Sequence, residues 1–339
     1  MLMNKLLRSG ALLIVVLSAF VIAFPAQATE NLTTKKIASE NDTTKEQILN
    51  IVEDQSLGNM PIKKIIQEDD NTFVQEQKPF GIEVQISAEE NSVTLEKKGV
   101  GITIGMPNAD SENIEMGMID GQIVSTSDDL DVVVQSIEGG VRQIIRIDSK
   151  DSDKHYDFPV ELPAGYYLEQ DDFGNITIRN RRGSVLTYIP HPWARDADGN
   201  DIPTYYTLKG TVLRQYVEIE KATKFPVVAD PIWCGAAIKS VKWIDRGGKY
   251  PWSASVTPTS CGAWLGGGFQ SGAWQELLDK TPKSKHWNKK SGTSEYWSMY
   301  NQYFCHADWA GGFKAPWNLE PARPNVGYLK TVNALCNPS

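Results

Sequence analysis

Hydrophobic and polar positions alternate through the middle of the chain, between residues 80 and 229. Such alternation over about four to eight residues is typical of a β-strand with one buried face. Ile82, Val84 and Ile86 form one such series. Similar series lie at 100–104, 132–134, 144–147, 176–178 and 212–219. Because turn signals with glycine separate them, we predict an antiparallel β domain, either a sandwich or an elongated sheet.

Residues 230–339 follow a different pattern, which predicts a small α+β domain. Its first element is a hairpin, with strands at 238–245 and 252–257 on either side of a turn that contains two glycines. Two helices follow at 271–280 and 293–304, where apolar side chains recur at helical spacing. Glycine and proline then become frequent, so the tail is predicted to be mostly irregular.

The start of the chain has the pattern of a secretion signal, which we assign to residues 1–28. Lys5 and Arg8 precede an apolar run at 10–24, and Ala26-Gln27-Ala28 is a small-x-small cleavage site. The run is shorter than the roughly 20 residues that a membrane-spanning helix needs. We therefore predict a secreted protein, extracellular or associated with the cell wall, with no stable membrane span after signal removal. An uncleaved anchor is the alternative.

Residues 29–79 are polar and are predicted to form a leader that is partly helical or disordered. Within 43–55, Ile48, Leu49 and Val52 lie at helical spacing, which predicts one short helix. The predicted division of the chain is therefore a signal peptide at 1–28, a leader at 29–79, a β-rich domain at 80–229 and a C-terminal domain at 230–339.

Charge differs sharply between the two halves. Residues 233–339 hold 12 basic and 6 acidic side chains, a net of +6, whereas residues 29–232 carry a net of −16. Either this is ordinary variation, or the basic part meets a polyanion, such as nucleic acid or an anionic wall polymer, and the acidic part screens it beforehand. Between them, Pro226 and Pro231 predict an extended linker, with programmed cleavage at Asp230-Pro231 as the alternative.

All four cysteines and nine of the ten tryptophans lie beyond residue 232. In an exported chain these cysteines predict two disulfides, and of three pairings we favour Cys234–Cys261 and Cys305–Cys336. Each bridge closes a loop of about 30 residues, which is worth roughly 3–4 kcal/mol in loop entropy. A zinc site is the rival hypothesis, but the ligand spacing is wrong for it. We expect no metal and no cofactor.

Several motifs of the C-terminal domain occur in one order. They are Val256-Thr257-Pro258, Trp274-Gln275-Glu276-Leu277, Cys305-His306, Pro316-Trp317-Asn318-Leu319-Glu320-Pro321, Arg323-Pro324 and Cys336-Asn337-Pro338. From about Ser240 to Pro338, the chain resembles domain-of-unknown-function family twenty-five ninety-nine, which is found at the C-termini of secreted proteins of Gram-positive bacteria. The resemblance implies a domain boundary and an extracellular setting. It implies no activity.

The sharpest polar cluster of this domain comprises His306, Asp308, Glu320 and Arg323. With Glu320 as base, His306 as acid and Arg323 as phosphate partner, the cluster would cleave a ribonucleotide phosphodiester by general acid–base catalysis. Lys242 or Arg246 would add positive charge. The alternative is structural, with Glu320 and Arg323 as an ion pair and His306 bonded to a carbonyl or capping a helix.

A second candidate is the basic loop before the second helix, with Lys285, His286, Trp287 and Lys289. Basic groups around an aromatic ring suit phosphate contact and base stacking, but they also describe a solvated loop. A carbohydrate platform is a further hypothesis, with Trp243, Trp252 and Trp264 around the hairpin. Most tryptophans of so small a domain are expected in its core, and Trp317 is the expected exposed exception.

Two other segments have weaker site patterns. The acidic series Asp196, Asp198, Asn200 and Asp201 resembles a calcium loop, but it lacks the Gly and Glu that such a loop needs, so a hairpin turn is expected. The glycines at 266–268 precede a helix and are either an anion-binding helix start or a flexible connector. The sequence contains no Ser-His-Asp motif, nucleotide fingerprint or metalloprotease motif.

The upstream region, at 166–183 and 226–231, resembles the pretoxin-like β regions of polymorphic secreted proteins. We therefore predict an exported effector or antibacterial factor whose basic C-terminal domain is the active part. If that domain is catalytic, the cluster of His306, Glu320 and Arg323 predicts a phosphodiesterase. The alternative is a non-enzymatic cell-envelope module that binds anionic wall polymers or glycans. The sequence leaves both functions open, and with them the oligomeric state.

Overall fold

The computed structural model describes residues 44–53, 60–171, 174–264 and 270–339. The predicted signal at 1–28 and the glycine run at 266–268 lie outside these residues. Within the described ranges, no helix combines the length and the hydrophobicity needed to cross a bilayer.

The described residues form twenty-two strands and four α-helices. In chain order, the strands are β1 (Ile62–Lys63), β2 (Ile66–Gln67), β3 (Thr72–Gln77), β4 (Ile82–Ser87), β5 (Ser92–Lys97), β6 (Val100–Gly105), β7 (Glu115–Ile119), β8 (Gln122–Thr126), β9 (Asp131–Ile137), β10 (Gly140–Ile147), β11 (His155–Glu161), β12 (Tyr166–Gln170), β13 (Ile176–Asn180), β14 (Val185–Ile189), β15 (Ala194–Arg195), β16 (Thr204–Lys209), β17 (Val212–Val217), β18 (Val227–Ala229), β19 (Ile232–Cys234), β20 (Ile238–Asp245), β21 (Trp252–Pro258) and β22 (Trp317–Leu319). The helices are α1 (44–53), α2 (Gln270–Lys280), α3 (Ser294–Trp309) and α4 (Tyr328–Asn333).

The strands of the described residues form three sheets. The first runs β12-β13-β14-β19-β10-β9-β8-β7, with β1 beside β9 and with β18 between β10 and β15. The second runs β16-β17-β11-β6-β5-β4-β3-β2, and the third is β20-β21-β22. Neighbouring strands pair antiparallel, for example β9 with β10 and β20 with β21. The predicted class, an antiparallel β region followed by an α+β C-terminal part, is confirmed.

The first two sheets pack against each other through one hydrophobic cluster. Val84 and Leu95 of the second sheet and Val132 and Ile145 of the first belong to this cluster, and water reaches almost none of their surface. The alternation seen in the sequence therefore has a simple cause, since every second side chain points into the space between the sheets. Of the two predicted forms, the arrangement is a sandwich.

Helix α1 covers the other face of the first sheet. Ile48, Leu49 and Val52 are buried against Val124 and Val133. The helix predicted within 43–55 is thereby confirmed for its described residues. This packing also explains why β9 is buried on both faces, as expected for a strand with a sheet on one side and a helix on the other.

Two segments differ from the sequence prediction. The leader was predicted to be partly helical or disordered, but it contains β1, β2 and β3, because Ile65 and Phe73 are buried in the core between the sheets. The expected linker contains β18, which pairs with β10 and β15. Val227 and Val228 are fully buried there. Their burial favours a paired strand, although the flanking prolines predicted an unpaired linker.

The C-terminal part contains the predicted hairpin and both predicted helices. Strand β20 has the predicted bounds, and α3 continues five residues beyond the predicted end at 304. The tail is more regular than predicted. Strand β22 adds a third strand to the hairpin, with Trp317 opposite Val256, and α4 packs against α3. These contacts bury Trp317 and Leu319. Burial of the two apolar side chains stabilises the tail, although its glycine and proline content predicted an irregular structure.

Both predicted disulfides are confirmed, Cys234–Cys261 and Cys305–Cys336. The first joins β19 of the first sheet to the segment after β21. The second joins α3 to the segment after α4. The hydrophobic core of the C-terminal part also includes Tyr188 of the first sheet, so this core continues onto the sandwich. The predicted boundary at residues 229 and 230 remains a prediction.

We expect the double substitution Cys305→Ala, Cys336→Ala to lower the free energy of unfolding by about 3–4 kcal/mol, because it reopens a loop of 31 residues. Urea unfolding monitored by tryptophan fluorescence measures this change. A loss below about 1 kcal/mol would show that packing of α4 on α3 holds the tail without the covalent bond.

Candidate functional site

Glu320 is the buried centre of a polar network in the C-terminal part. Glu320 is only 3% exposed. Its carboxylate accepts hydrogen bonds from Ser253 Oγ at 2.9 Å and from Arg323 Nε at 2.6 Å. Its main chain exchanges two further bonds with the Gln302 side chain, at 2.9 and 3.0 Å. A buried carboxylate is costly unless it is paired and hydrogen-bonded. The network therefore fixes β21, α3 and the tail in one arrangement.

Arg323 is held in place on three sides. Besides Glu320, its Nη1 donates to the carbonyl oxygen of Pro338 at 3.0 Å, and its guanidinium lies 4.6 Å from the centre of the Tyr250 ring. These two bonds and the stacking contact leave further N–H donors on the guanidinium. Because these partners already fix the guanidinium group, Arg323 loses little side-chain entropy when it binds an anion.

A depression of about 280 Å³ opens beside this arginine. Its lining among the described residues is Arg246, Gly247, Lys249, Tyr250, Glu320, Arg323 and Asn337. Lys249 Nζ lies 5.0 Å from the centre of the Tyr250 ring, so this ring has cationic contacts from Lys249 and Arg323. Glu320 is the acid in the lining, and Arg323 already neutralises it. The remaining charge is positive, which suits an anionic ligand.

The turn between β20 and β21 places two of these cations at the rim. Gly247 and Gly248 have φ of 65° and 71°, a conformation that glycine adopts without strain. Gly247 N–H donates to Asp245 Oδ1 at 2.9 Å, and Arg246 N–H donates to the Pro251 carbonyl oxygen at 2.6 Å. The loop is thus closed by its own backbone, with Arg246 and Lys249 exposed to solvent.

His306 lies away from this depression. It is on the buried face of α3, 6% exposed, with its ring parallel to that of Trp317 at 6.4 Å. Neither ring nitrogen makes a well-formed hydrogen bond with the described residues. Burial, reinforced by the charge of Lys314, lowers the pKa of His306 to about 4. Near neutral pH the imidazole is therefore uncharged, which is unfavourable for a general acid.

The structure thus brings together two of the three predicted catalytic residues. Glu320 and Arg323 form the ion pair of the structural alternative, and His306 is not among the residues that line the depression. Asp308, the fourth member of the predicted cluster, is exposed and accepts a hydrogen bond from Tyr328 Oη. A catalytic role for the three residues remains a prediction that this geometry does not favour.

The predicted binding loop divides into buried and exposed residues. Trp287 is 3% exposed and packs on Trp274, and Lys289 Nζ donates to the carbonyl oxygens of Leu278 and Thr281, both at 2.6 Å. Lys289 therefore satisfies carbonyls at the end of α2. Lys285 is exposed, so it remains accessible.

His286 belongs to an aromatic group on the hairpin. Its ring stacks on Trp252 with centres 3.7 Å apart and lies 5.8 Å from the Trp243 ring. Trp243 Nε1 donates to the Pro282 carbonyl oxygen at 3.0 Å, which ties the loop to the hairpin. All three rings are partly exposed, so the group is a surface that a ligand can reach.

The expectation that Trp317 is exposed was wrong. It is fully buried, packs on Tyr303 and donates to the Gly311 carbonyl oxygen at 3.1 Å. The most exposed tryptophans of the described residues are Trp309 and Trp297, at 71% and 42%. Proline-rich surroundings predicted a loop, but β22 draws Trp317 into the core instead.

The remaining candidates have structural explanations. Asp196 accepts the backbone N–H groups of Asp198 and Asn200, as expected for a turn, and no group that could hold a metal ion occurs among the described residues. Asp230 is fully buried, and its carboxyl accepts the Trp193 N–H at 2.9 Å. Burial raises the pKa of Asp230 to about 8. Programmed cleavage at Asp230-Pro231 remains an alternative hypothesis.

A second, larger depression of about 700 Å³ lies in the β region. Aspartates dominate its lining, namely Asp110, Asp128, Asp129, Asp131, Asp148, Asp151, Asp153 and Asp157. Its charge is opposite to that of the depression beside Arg323. The two depressions thus have the same sign of charge as the parts of the sequence that form them.

Lys249, Tyr250 and Asn337 line the depression beside Arg323, but sequence reasoning did not single them out as site residues. A signal was present for one of them, because Lys249 and Arg246 flank two glycines in a predicted hairpin turn. Asn337 gave no such signal, since only the folding of the tail brings it next to the hairpin.

We expect the free energy of unfolding to fall with decreasing pH between about 6.5 and 4, because the unfolded chain protonates His306 at its ordinary pKa while the folded chain resists until about pH 4. The difference of about 2.5 pKa units corresponds to roughly 3 kcal/mol. The variant His306→Phe keeps a ring beside Trp317 and should lack this part of the pH dependence. Urea unfolding at pH 7 and pH 4 measures it, and identical pH profiles for the two proteins would contradict the assignment.

Among comparisons with known proteins, only the C-terminal part of the chain gives a match. Residues 238–339 match the model of a family described as a protein of unknown function, DUF2599. Neither the curated proteins nor the solved structures gave a match. The matched segment begins at the first residue of β20, so it contains the hairpin, α2, α3, β22 and α4, together with the depression beside Arg323. The similarity covers less than a third of the chain and names no activity.

Proposed function

We propose that the protein is a non-enzymatic module of the bacterial cell envelope, whose C-terminal part binds an anionic wall polymer. The observation that carries this proposal is the depression beside Arg323. Three cationic side chains, Arg246, Lys249 and Arg323, line it, and its acid is already paired. Guanidinium groups suit phosphate oxygens, so we name a phosphodiester polymer as the ligand class.

The setting supports an extracellular ligand. Both disulfides join cysteines of the same chain and no cysteine is free, as is typical of proteins from oxidising compartments. The net charge of +6 on residues 233–339 attracts a polyanion at long range, and the depression then holds one anionic group at short range. Trp243 and Trp252 of the same hairpin, together with His286 packed on them from the loop before α3, offer a further contact along the polymer.

Binding fits this geometry better than phosphodiester cleavage does. A general base must reach the proton that it abstracts, whereas Glu320 is 3% exposed and each of its carboxylate oxygens already accepts a hydrogen bond, from Ser253 or from Arg323. The general acid of the catalytic hypothesis, His306, is buried and uncharged near neutral pH. The exported effector remains the rival function, and it would use the same cationic depression to hold its target.

We expect the double substitution Arg246→Gln, Lys249→Gln to weaken binding of the full chain to poly(glycerol phosphate) by at least about tenfold, because each lost charge-assisted contact is worth about 1.5–3 kcal/mol. Fluorescence anisotropy of a labelled polymer measures the dissociation constant. The slope of log affinity against log salt should also become shallower by about one per cation removed. Arg323 is left unchanged, because its removal would strand the buried Glu320 carboxylate.

The matched control is Lys283→Gln, Lys285→Gln, which removes the same charge from exposed positions of the loop before α3. This variant should lose much less affinity than the hairpin variant. Equal losses in the two variants would show that net charge alone drives binding and would contradict a site beside Arg323. RNA and the wall polymer are compared in parallel, with the products examined by mass spectrometry. Turnover of either polymer by the parent protein would instead support the catalytic hypothesis.

A further inference from the structure

The three most exposed large hydrophobic side chains of the described residues lie in the last 31 residues. Trp309, Leu329 and Leu335 are 71%, 77% and 82% exposed. Trp309 is the last residue of α3, Leu329 lies in α4, and Leu335 follows α4 by two residues. None of them lines the depression beside Arg323, so the proposed polymer site does not explain their exposure.

Several contacts hold together the segments that carry these side chains. Helix α4 packs against α3, and the Cys305–Cys336 disulfide joins the two segments. Tyr328, the first residue of α4, donates its hydroxyl to Asp308 next to Trp309. The exposed side chains therefore stand on a rigid support. We call this surface, formed by Trp309, Leu329, Leu335 and the nearby lysines Lys314 and Lys330, the α3–α4 corner.

The charges of the corner favour a partner with a negatively charged surface. Lys314 ends the short helix that follows Trp309, Lys330 is next to Leu329, and both lysines are exposed. One acid, Asp308, lies on the same segments and accepts a hydrogen bond from the neutral Tyr328 hydroxyl, so the lysines of the corner outnumber its acids by two to one. Tryptophan prefers the boundary between water and lipid, leucine enters the acyl region, and lysine pairs with anionic headgroups. We propose that the α3–α4 corner docks on the surface of a membrane that contains anionic lipids.

The number and the exposure of these apolar side chains favour a membrane over a protein as the partner. A stable protein–protein interface uses about 20–30 residues a side, and the corner has three apolar side chains. Side chains that line a groove are partly covered by its walls, whereas these three project into solvent over most of their surface. Projecting side chains insert into a fluid boundary that deforms around them. This mode matches shallow interfacial anchoring, which depends on apolar area together with attraction to anionic lipid.

The test uses the exported chain, recovered from the medium of an expressing bacterium, and measures flotation with lipid vesicles. Vesicles of phosphatidylcholine alone are compared with vesicles of equal parts phosphatidylcholine and phosphatidylglycerol. We expect stronger binding to the anionic vesicles. The variant Leu329→Ala, Leu335→Ala should lower the partition coefficient at least about tenfold on both vesicle types. The variant Lys314→Gln, Lys330→Gln should lower it about tenfold on the anionic vesicles alone.

The control is Trp297→Ala, which removes another exposed tryptophan about 18 Å from Trp309 along α3. It should bind like the parent protein, and thermal unfolding should confirm that every variant is folded. Three results would overturn the proposal: no binding to anionic vesicles, equal losses for the leucine and Trp297 variants, or a dimer in light scattering that the leucine variant abolishes. The last result would assign the corner to a second copy of the chain.

Discussion

The buried carboxylate of Glu320 is the constraint on which the C-terminal part depends. Moving a carboxylate out of water costs several kcal/mol unless paired donors replace the lost water. Here the carboxylate accepts hydrogen bonds from Ser253 of β21 and Arg323 of the tail, while the Gln302 side chain of α3 holds the Glu320 main chain. Each element must be in place for the charge to be tolerated. The carboxylate therefore specifies where the tail lies, and with it the orientation of the guanidinium that faces the depression.

The same network explains why a site exists at this place. Arg323 is fixed by Glu320, by the Pro338 carbonyl and by the Tyr250 ring, so its remaining donors are pre-organised. Arg246 and Lys249 stand beside it on a loop that its own backbone closes. Fixed cations bind an anion with a smaller loss of entropy than mobile surface lysines do. This difference distinguishes Arg323, which three contacts fix, from the exposed Lys285.

The sandwich and the C-terminal part are continuous in two respects. Strand β19 hydrogen-bonds to β10 in the first sheet, and Cys234 at its end forms a disulfide with Cys261 beyond β21. Gly262 lies so close to the Ala237 carbonyl that a Cβ placed there would approach its oxygen to 1.9 Å. The chain is thus tightly constrained where it leaves the sandwich. The hairpin and the rim of the depression are carried on a rigid base.

Sequence reasoning found the elements whose signal is local. Alternation predicted the strands around Val84 and Val132, helical spacing predicted α2 and α3, and the cysteines gave the correct bridges. Two of the errors, at Trp317 and in the expected linker, share one cause, which is pairing between segments that are distant in the chain. Trp317 is buried because β22 joins β21.

The candidate site shows the same limit. The pairing of Glu320 with Arg323 was foreseen because the two residues are three apart. Lys249 and Asn337 join them only after the tail folds against the hairpin. Burial, which makes His306 a poor acid, is likewise a property of packing that adjacent residues do not reveal.

A crystal structure of the full chain with a short poly(glycerol phosphate) oligomer tests the central claim most directly. The account predicts a phosphate group in the depression, within hydrogen-bond distance of the Arg323 guanidinium and of Arg246 or Lys249, with the Glu320 network unchanged. A phosphate bound elsewhere, for example between Lys285 and His286, with the depression filled by solvent alone, would contradict it.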